Sequence, residues 1–92
     1  MVTKTVKIVN PTGLHLRPAG NLCKEAVKYK SRITFTYRNN VTNAKSVLSV
    51  LAACVKQGEE IELSCEGDDE AEALENISRI IAEGLGEEPK AE

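Results

Sequence analysis

No stretch of this sequence stays apolar over the roughly 20 residues that a bilayer-spanning helix needs, so no membrane insertion is expected. Charge of one sign is lacking too: 12 basic residues stand against 14 acidic ones, a formal net charge of -2. That balance leaves no basic footprint for nucleic acid, and no run of Lys or Arg offers itself to a lipid surface. The first residues, Met1 to Lys7, alternate in character and lack the apolar core of a signal peptide. A cytoplasmic protein is expected. Cysteine is scarce and odd in number, with Cys23, Cys54 and Cys65 far apart. A disulfide framework calls for an even count and a secretory setting. A zinc site made of these three with His15 lacks the close ligand spacing of such centres. The three are expected to be buried, reduced thiols acting as small apolar side chains, with no metal or other cofactor implied.

A chain of 92 residues has room for one small domain. Residues 1–86 carry the patterned part, and the acidic end, 87–92, has nothing to bury and is expected to be a flexible tail. A domain this small has little interior to spare for an enclosed active site, so any chemistry belongs on its surface.

Val6 and Ile8 alternate with Thr5 and Lys7, the pattern of a strand covered on one face. Asn10-Pro11-Thr12-Gly13 breaks it as a loop. From Leu16 the period changes, and Ala19, Leu22, Cys23, Ala26 and Val27 form the apolar stripe of a helix with Pro18 in its first turn. Ile33, Phe35 and Tyr37 alternate with threonines as a second strand; Arg38-Asn39-Asn40 predicts a tight turn, and Val41-Thr42 begins the return. Ser46 is a plausible N-cap for a brief helix over 46–53. Ile61, Leu63 and Cys65 mark a fourth strand, and Ala71, Leu74, Ile77, Ser78 and Ile81 one face of a last helix that Gly84 stops. The order is βαββαβα, an α+β fold. Strands of alternating polarity have one dry face, so the helices should pack on one side of the sheet.

His15 is the single histidine, and it stands at a loop-to-helix junction, Gly13-Leu14-His15-Leu16-Arg17-Pro18-Ala19. A helix start offers free backbone N–H groups and a partial positive charge, which together attract anions such as phosphate. A neutral imidazole nitrogen is the nucleophile that phosphoryl transfer needs, and the Arg17 guanidinium suits phosphoryl oxygens. Spacing alone leaves this balanced against an incidental surface histidine beside a capping turn.

The Gly13–Ala19 segment resembles the active-site signature of HPr, the histidine-containing phosphocarrier family of the bacterial phosphotransferase system. Chain length, element order, Lys45-Ser46 before a short apolar helix, and the acidic loop and final helix are similar as well. The resemblance implies an open-faced β-sandwich, a four-stranded antiparallel sheet of order 1-4-2-3 covered on one face by three helices. It implies that His15 accepts a phosphoryl group on Nδ1 from enzyme I, charged by phosphoenolpyruvate, and passes it to sugar-specific IIA domains. Arg17 is then the stabilising cation, and the amides of Leu16 and Arg17 the phosphate-binding backbone. The family more often has alanine directly after the histidine; Leu16 keeps the amide and enlarges the apolar contact offered to partners. Val47, Leu48 and Leu51 are expected to form an exposed apolar patch that docks partners together with Leu16, Arg17 and Lys24.

By the same resemblance Ser46 is a regulatory site for an HPr kinase/phosphorylase, a reading compatible with its role as a cap. A carrier that alternates between partners is expected to be a monomer and not an enzyme in the strict sense. Two alternatives share the frame. One is a regulatory module, acting as corepressor with a catabolite-control transcriptional regulator; homologues specialised for that keep the serine and lack the histidine. The other is a nitrogen-related phosphocarrier with the same chemistry and different partners.

Overall fold

The computed structural model describes residues 1–86; the tail expected at 87–92 lies outside the described residues. In chain order the elements are β1 (Val2–Lys7), α1 (Leu16–Ala26), β2 (Arg32–Tyr37), β3 (Asn40–Asn43), α2 (Val47–Ala53), β4 (Glu60–Glu66) and α3 (Glu70–Ala82). The four strands form one antiparallel sheet in the order β1-β4-β2-β3. Register follows the alternation. Val6 sits opposite Ile61, Leu63 opposite Phe35, and Cys65 opposite Ile33, so that the large apolar residues share one face. Between them Glu60, Glu62, Thr34 and Thr36 take the other face.

All three helices cover the apolar face. Ala19, Leu22, Cys23 and Ala26 of α1, Val50 of α2, and Ala73, Ile77 and Ile81 of α3 are buried with Ile33, Phe35, Ile61 and Leu63 in one cluster. Full burial of a side chain such as Phe35 or Ile77 stabilises the fold by about 1.5–3 kcal/mol. The result is an open-faced sandwich, in which all three helices lie on one side of the sheet among the described residues.

Several details depart from the sequence pattern, each for a local reason. Val27 is 59% exposed because the helix ends at Ala26 and Val27 is its C-cap. In α3 the inward stride runs through 73, 77 and 81, which buries Ala73 and leaves Ala71 outside. The β2–β3 turn is tighter than three residues: Arg38 and Asn39 both have positive φ, 52° and 67°, and Asn40 already belongs to β3. Cys23 and Cys65 are buried, and burial pushes the Cys65 thiol up to about 11. Cys54 is exposed, because it caps α2 in a left-handed conformation beyond the last inward residue.

Asp69 begins α3 without capping it. Its carboxylate instead accepts hydrogen bonds from the main-chain N–H groups of Lys30 and Ser31, each at 2.9 Å, and from the Ser31 hydroxyl. That tie holds the α1–β2 connection to the start of α3, and the Ser31 hydrogen bond lowers the Asp69 carboxyl below its ordinary value.

The segment between β1 and α1 is held by a series of hydrogen bonds. Past the strand ends Ile8 and Gly58–Glu59 continue the pairing, at 2.9 and 2.7 Å. The side chain of Asn10, fully buried, donates to the Gly13 carbonyl at 2.6 Å, while the Gly13 N–H returns to the Asn10 carbonyl at 3.1 Å. Leu14 N–H then donates to the Val55 carbonyl at 2.9 Å. Gly13 has φ +67°, and a Cβ there would stand 2.4 Å from the Val55 oxygen and 2.8 Å from the Lys56 Cα. Both facts demand glycine. Gly13→Ala is therefore expected to cost about 2–3 kcal/mol of stability, read from urea unfolding. An unchanged midpoint would mean that this contact does not hold the loop.

Candidate functional site

His15 occupies the N-cap of α1 in an extended conformation, φ -86° and ψ -172°, and its side chain is exposed. Its carbonyl accepts the first helical hydrogen bond, from Ala19 at 2.8 Å. The next residue back, Pro18, has no N–H to offer. Leu16 and Arg17 therefore supply the N–H groups of the first turn, and the His15 side chain does not cap them. Proline at this position fixes the helical φ and concentrates the helix's anion-attracting end onto two adjacent amides beside the imidazole. Arg17 is exposed, and among the described residues its guanidinium has no carboxylate partner.

The ring stands at the edge of an open cleft of about 200 Å³ lined by Thr12, Leu14, His15, Leu51, Cys54, Val55 and Lys56. Cys54 terminates α2 with φ 57° and ψ 40°, its N–H on the Leu51 carbonyl at 3.2 Å and its thiol 3.7 Å from the same oxygen. On the far side of Cys54 lies a second cluster around Glu59. Its carboxylate accepts from the Tyr37 hydroxyl at 2.5 Å, the Lys56 main-chain N–H at 2.9 Å and Arg38 at 3.1 Å. The Tyr37 hydrogen bond, first among these, lowers the Glu59 carboxyl below its ordinary value and raises the Tyr37 hydroxyl above its own. The Arg38 guanidinium also lies 5.1 Å from the Tyr37 ring centre.

The other residues singled out from sequence fall around this point. Leu16 is 63% exposed, Leu48 80% and Val47 36%. Leu51 differs from the expectation of an exposed residue: it is half-buried, packs on the core and lines the His15 cleft. Lys24 is exposed two turns along α1 from Leu16, on the same helix face. Ser46 is half-exposed and caps α2, its hydroxyl accepting from Ser49 N–H at 3.3 Å. Just before it, Lys45 is fixed at both ends, its N–H on Asn43 at 2.9 Å and its ammonium on the Tyr29 carbonyl at 2.7 Å. Sequence reading missed Thr12, Cys54 and Lys56 as neighbours of His15. Cys54 and Lys56 lie some forty positions further along the chain, and no local pattern announces the pairing that brings them there.

Comparison with known proteins places the chain in a family and matches its fold. The family model for the PTS HPr component phosphorylation site matches residues 2–83. The chain is 43% identical over 83 residues to phosphocarrier protein HPr of Buchnera aphidicola, covering 90% of this chain and 98% of that one. Among solved structures it is similar to HPr-C-His from Thermoanaerobacter tengcongensis, with a TM-score of 0.91 and 41% identity over 96% of this chain and 99% of that one. It is also similar to Crh, the catabolite repression HPr of Bacillus subtilis, with a TM-score of 0.74 and 33% identity over 91% of this chain and 97% of that one. Matched over nearly its whole length in sequence and in fold, the chain belongs to the HPr family, the phosphocarrier proteins of the phosphotransferase system.

Proposed function

We propose that this chain accepts a phosphoryl group from phosphorylated enzyme I on Nδ1 of His15 and passes it to sugar-specific IIA domains. The observation that carries the proposal is the placement of His15 as N-cap, with the first-turn amides of Leu16 and Arg17 beside it and not capped by its side chain. Nδ1 is the ring nitrogen nearer the main chain, so a phosphoryl group on it stays within reach of those amides. In the forward step the Nδ1 lone pair forms a bond to phosphorus while the donor's bond to phosphorus breaks and its electron pair stays with the donor. The second transfer is the same displacement with His15 as leaving group. Both pass through a loose transition state in which positioning and charge do most of the work. Leu16 and Arg17 amides and the Arg17 guanidinium supply fixed positive character where the phosphoryl oxygens lie. The protein is a covalent carrier and depends on its partners to complete each site.

An exposed histidine beside exposed apolar residues suits that dependence. Leu16, Val47 and Leu48 offer apolar surface around the imidazole, Leu51 borders it, and Lys24 adds a polar contact. Partners that must leave quickly need only a small interface of this kind, and a monomer in the cytoplasm presents it unobstructed. Ser46 opens α2 directly before Val47 and Leu48, so an HPr kinase/phosphorylase acting there would put about two negative charges beside the docking surface. The likeness to Crh favours a second use, in which the Ser46-phosphorylated form binds a catabolite-control regulator.

Incubation with enzyme I, phosphoenolpyruvate and magnesium, followed by intact-mass measurement, tests the carrier reading. One acid-labile phosphoryl group is expected, absent from His15→Ala, whose unfolding free energy stays within about 0.5 kcal/mol of the parent. No added mass on the parent, with the same enzyme I active on another carrier, would move the function to the regulatory module. In the same assay Leu48→Glu is expected to raise KM for the carrier about tenfold with little loss of stability, and Ser46→Asp to slow phosphorylation. If Leu48→Glu instead unfolds the protein at unchanged KM, Leu48 belongs to the core; an unaltered rate in Ser46→Asp would remove the regulatory role.

A further inference from the structure

A phosphoryl group on His15 brings about two negative charges to a surface where the first turn of α1 offers one guanidinium. The opposite wall of the cleft holds a second cation. Lys56, on the α2–β4 connection 41 positions later in the chain, borders the same cleft as His15 and also the neighbouring hollow around Tyr37, Arg38 and Glu59. Its main chain is fixed with respect to the histidine loop. The Gly13 α-carbon lies so near that a Cβ there would meet the Lys56 Cα at 2.8 Å, and the adjoining Leu14–Val55 hydrogen bond is 2.9 Å. The Lys56 N–H is spent on Glu59 at 2.9 Å. The ammonium is not: among the described residues no carboxylate lies within ion-pair distance of it. Glu59, the natural candidate, gives its two oxygens to Tyr37, Arg38 and that main-chain N–H. Glu59 is thus engaged with Tyr37 and Arg38, and the Lys56 ammonium beside it forms no ion pair with it.

We infer that Lys56 is a second phosphoryl-binding cation beside His15, acting together with Arg17 to stabilise the phosphorylated form of the carrier. The inference rests on the reading of His15 as acceptor and adds a specific consequence to it. The transfer is the displacement already described, with one bond to phosphorus made and one broken. Lys56 forms no covalent bond and moves no proton. Its charge acts on the phosphoryl oxygens, which are present in the transition state and in the product and absent from the free carrier. It therefore shifts the equilibrium of transfer from enzyme I toward phosphorylated carrier. A neutral residue at position 56 would leave the group easier to give away.

The test is the equilibrium between phosphorylated enzyme I and the carrier, measured for the parent, Lys56→Gln and Lys56→Arg at low and at high salt. Lys56→Gln is expected to lower the equilibrium constant for acceptance about three- to tenfold at low salt. Lys56→Arg should restore it to within about twofold of the parent, and the deficit of Lys56→Gln should shrink at high salt. Because Lys56 is exposed, all three proteins should unfold at the same denaturant concentration, which separates a charge effect from a structural one. A Lys56→Gln protein with the parent's equilibrium constant at low salt overturns the inference while leaving His15 as acceptor. A parent that accepts no phosphoryl group at all overturns the functional reading itself.

Discussion

The main chain at Gly13 and Leu14 lies directly on the main chain at Val55 and Lys56, joined by the Leu14–Val55 hydrogen bond and too close for any Cβ at residue 13. From this contact the rest of the site takes its position. It holds the loop that ends in His15 against the exit of α2, so the helix start and the α2–β4 connection become two walls of one cleft. The buried Asn10 closes the loop from inside, and the pairing of Ile8 with Gly58 and Glu59 extends the β1–β4 register to the rim. A rigid seat for the imidazole is thereby built almost wholly from backbone, which leaves the side chains around it free to face a partner.

This division of labour explains why so small a domain can host group transfer. The interior goes entirely to packing: Phe35, Ile33, Leu63, Ile77 and Ile81 fill the space between sheet and helices. Nothing is left to enclose a substrate. The proposed acceptor, His15, instead sits at a helix end, where the first-turn N–H groups supply positive character with no cost in burial. On the proposed reading, water exclusion and the remaining polar contacts fall to a partner docked over the exposed Leu16, Val47 and Leu48. A carrier used by several partners benefits from having its chemistry outside and its stability inside.

Much of this was legible in the chain because it is local. The stripe Ala19, Leu22, Cys23 and Ala26, the alternation of Ile33 with Phe35 and of Ile61 with Leu63, and the glycine-to-proline frame around His15 each declare themselves within a few residues. What sequence misjudged lies where an element ends or where two segments meet. Val27 and Cys54 continue an apolar pattern, yet each is a C-cap, and a cap turns its side chain away from the stripe. Ala71 and Ala73 offer the same side chain to two phases of one helix, and only packing against β1 and β4 selects Ala73. Lys56 carries no signal at all, since its nearness to His15 arises from the pairing of β1 with β4 and the connection that leads into β4, neither of which is written around position 56.

The central claim is that the amides of Leu16 and Arg17 receive the group carried by His15. The most direct measurement is an ¹H–¹⁵N NMR spectrum of the protein before and after phosphorylation, with the ring nitrogens observed in the same sample. The account predicts a phosphorus-bonded Nδ1 and the largest downfield amide shifts at Leu16 and Arg17, with the core amides of β2 and β4 unmoved. Phosphorylation on Nε2, or on Nδ1 with the Leu16 and Arg17 amides unshifted, would contradict it.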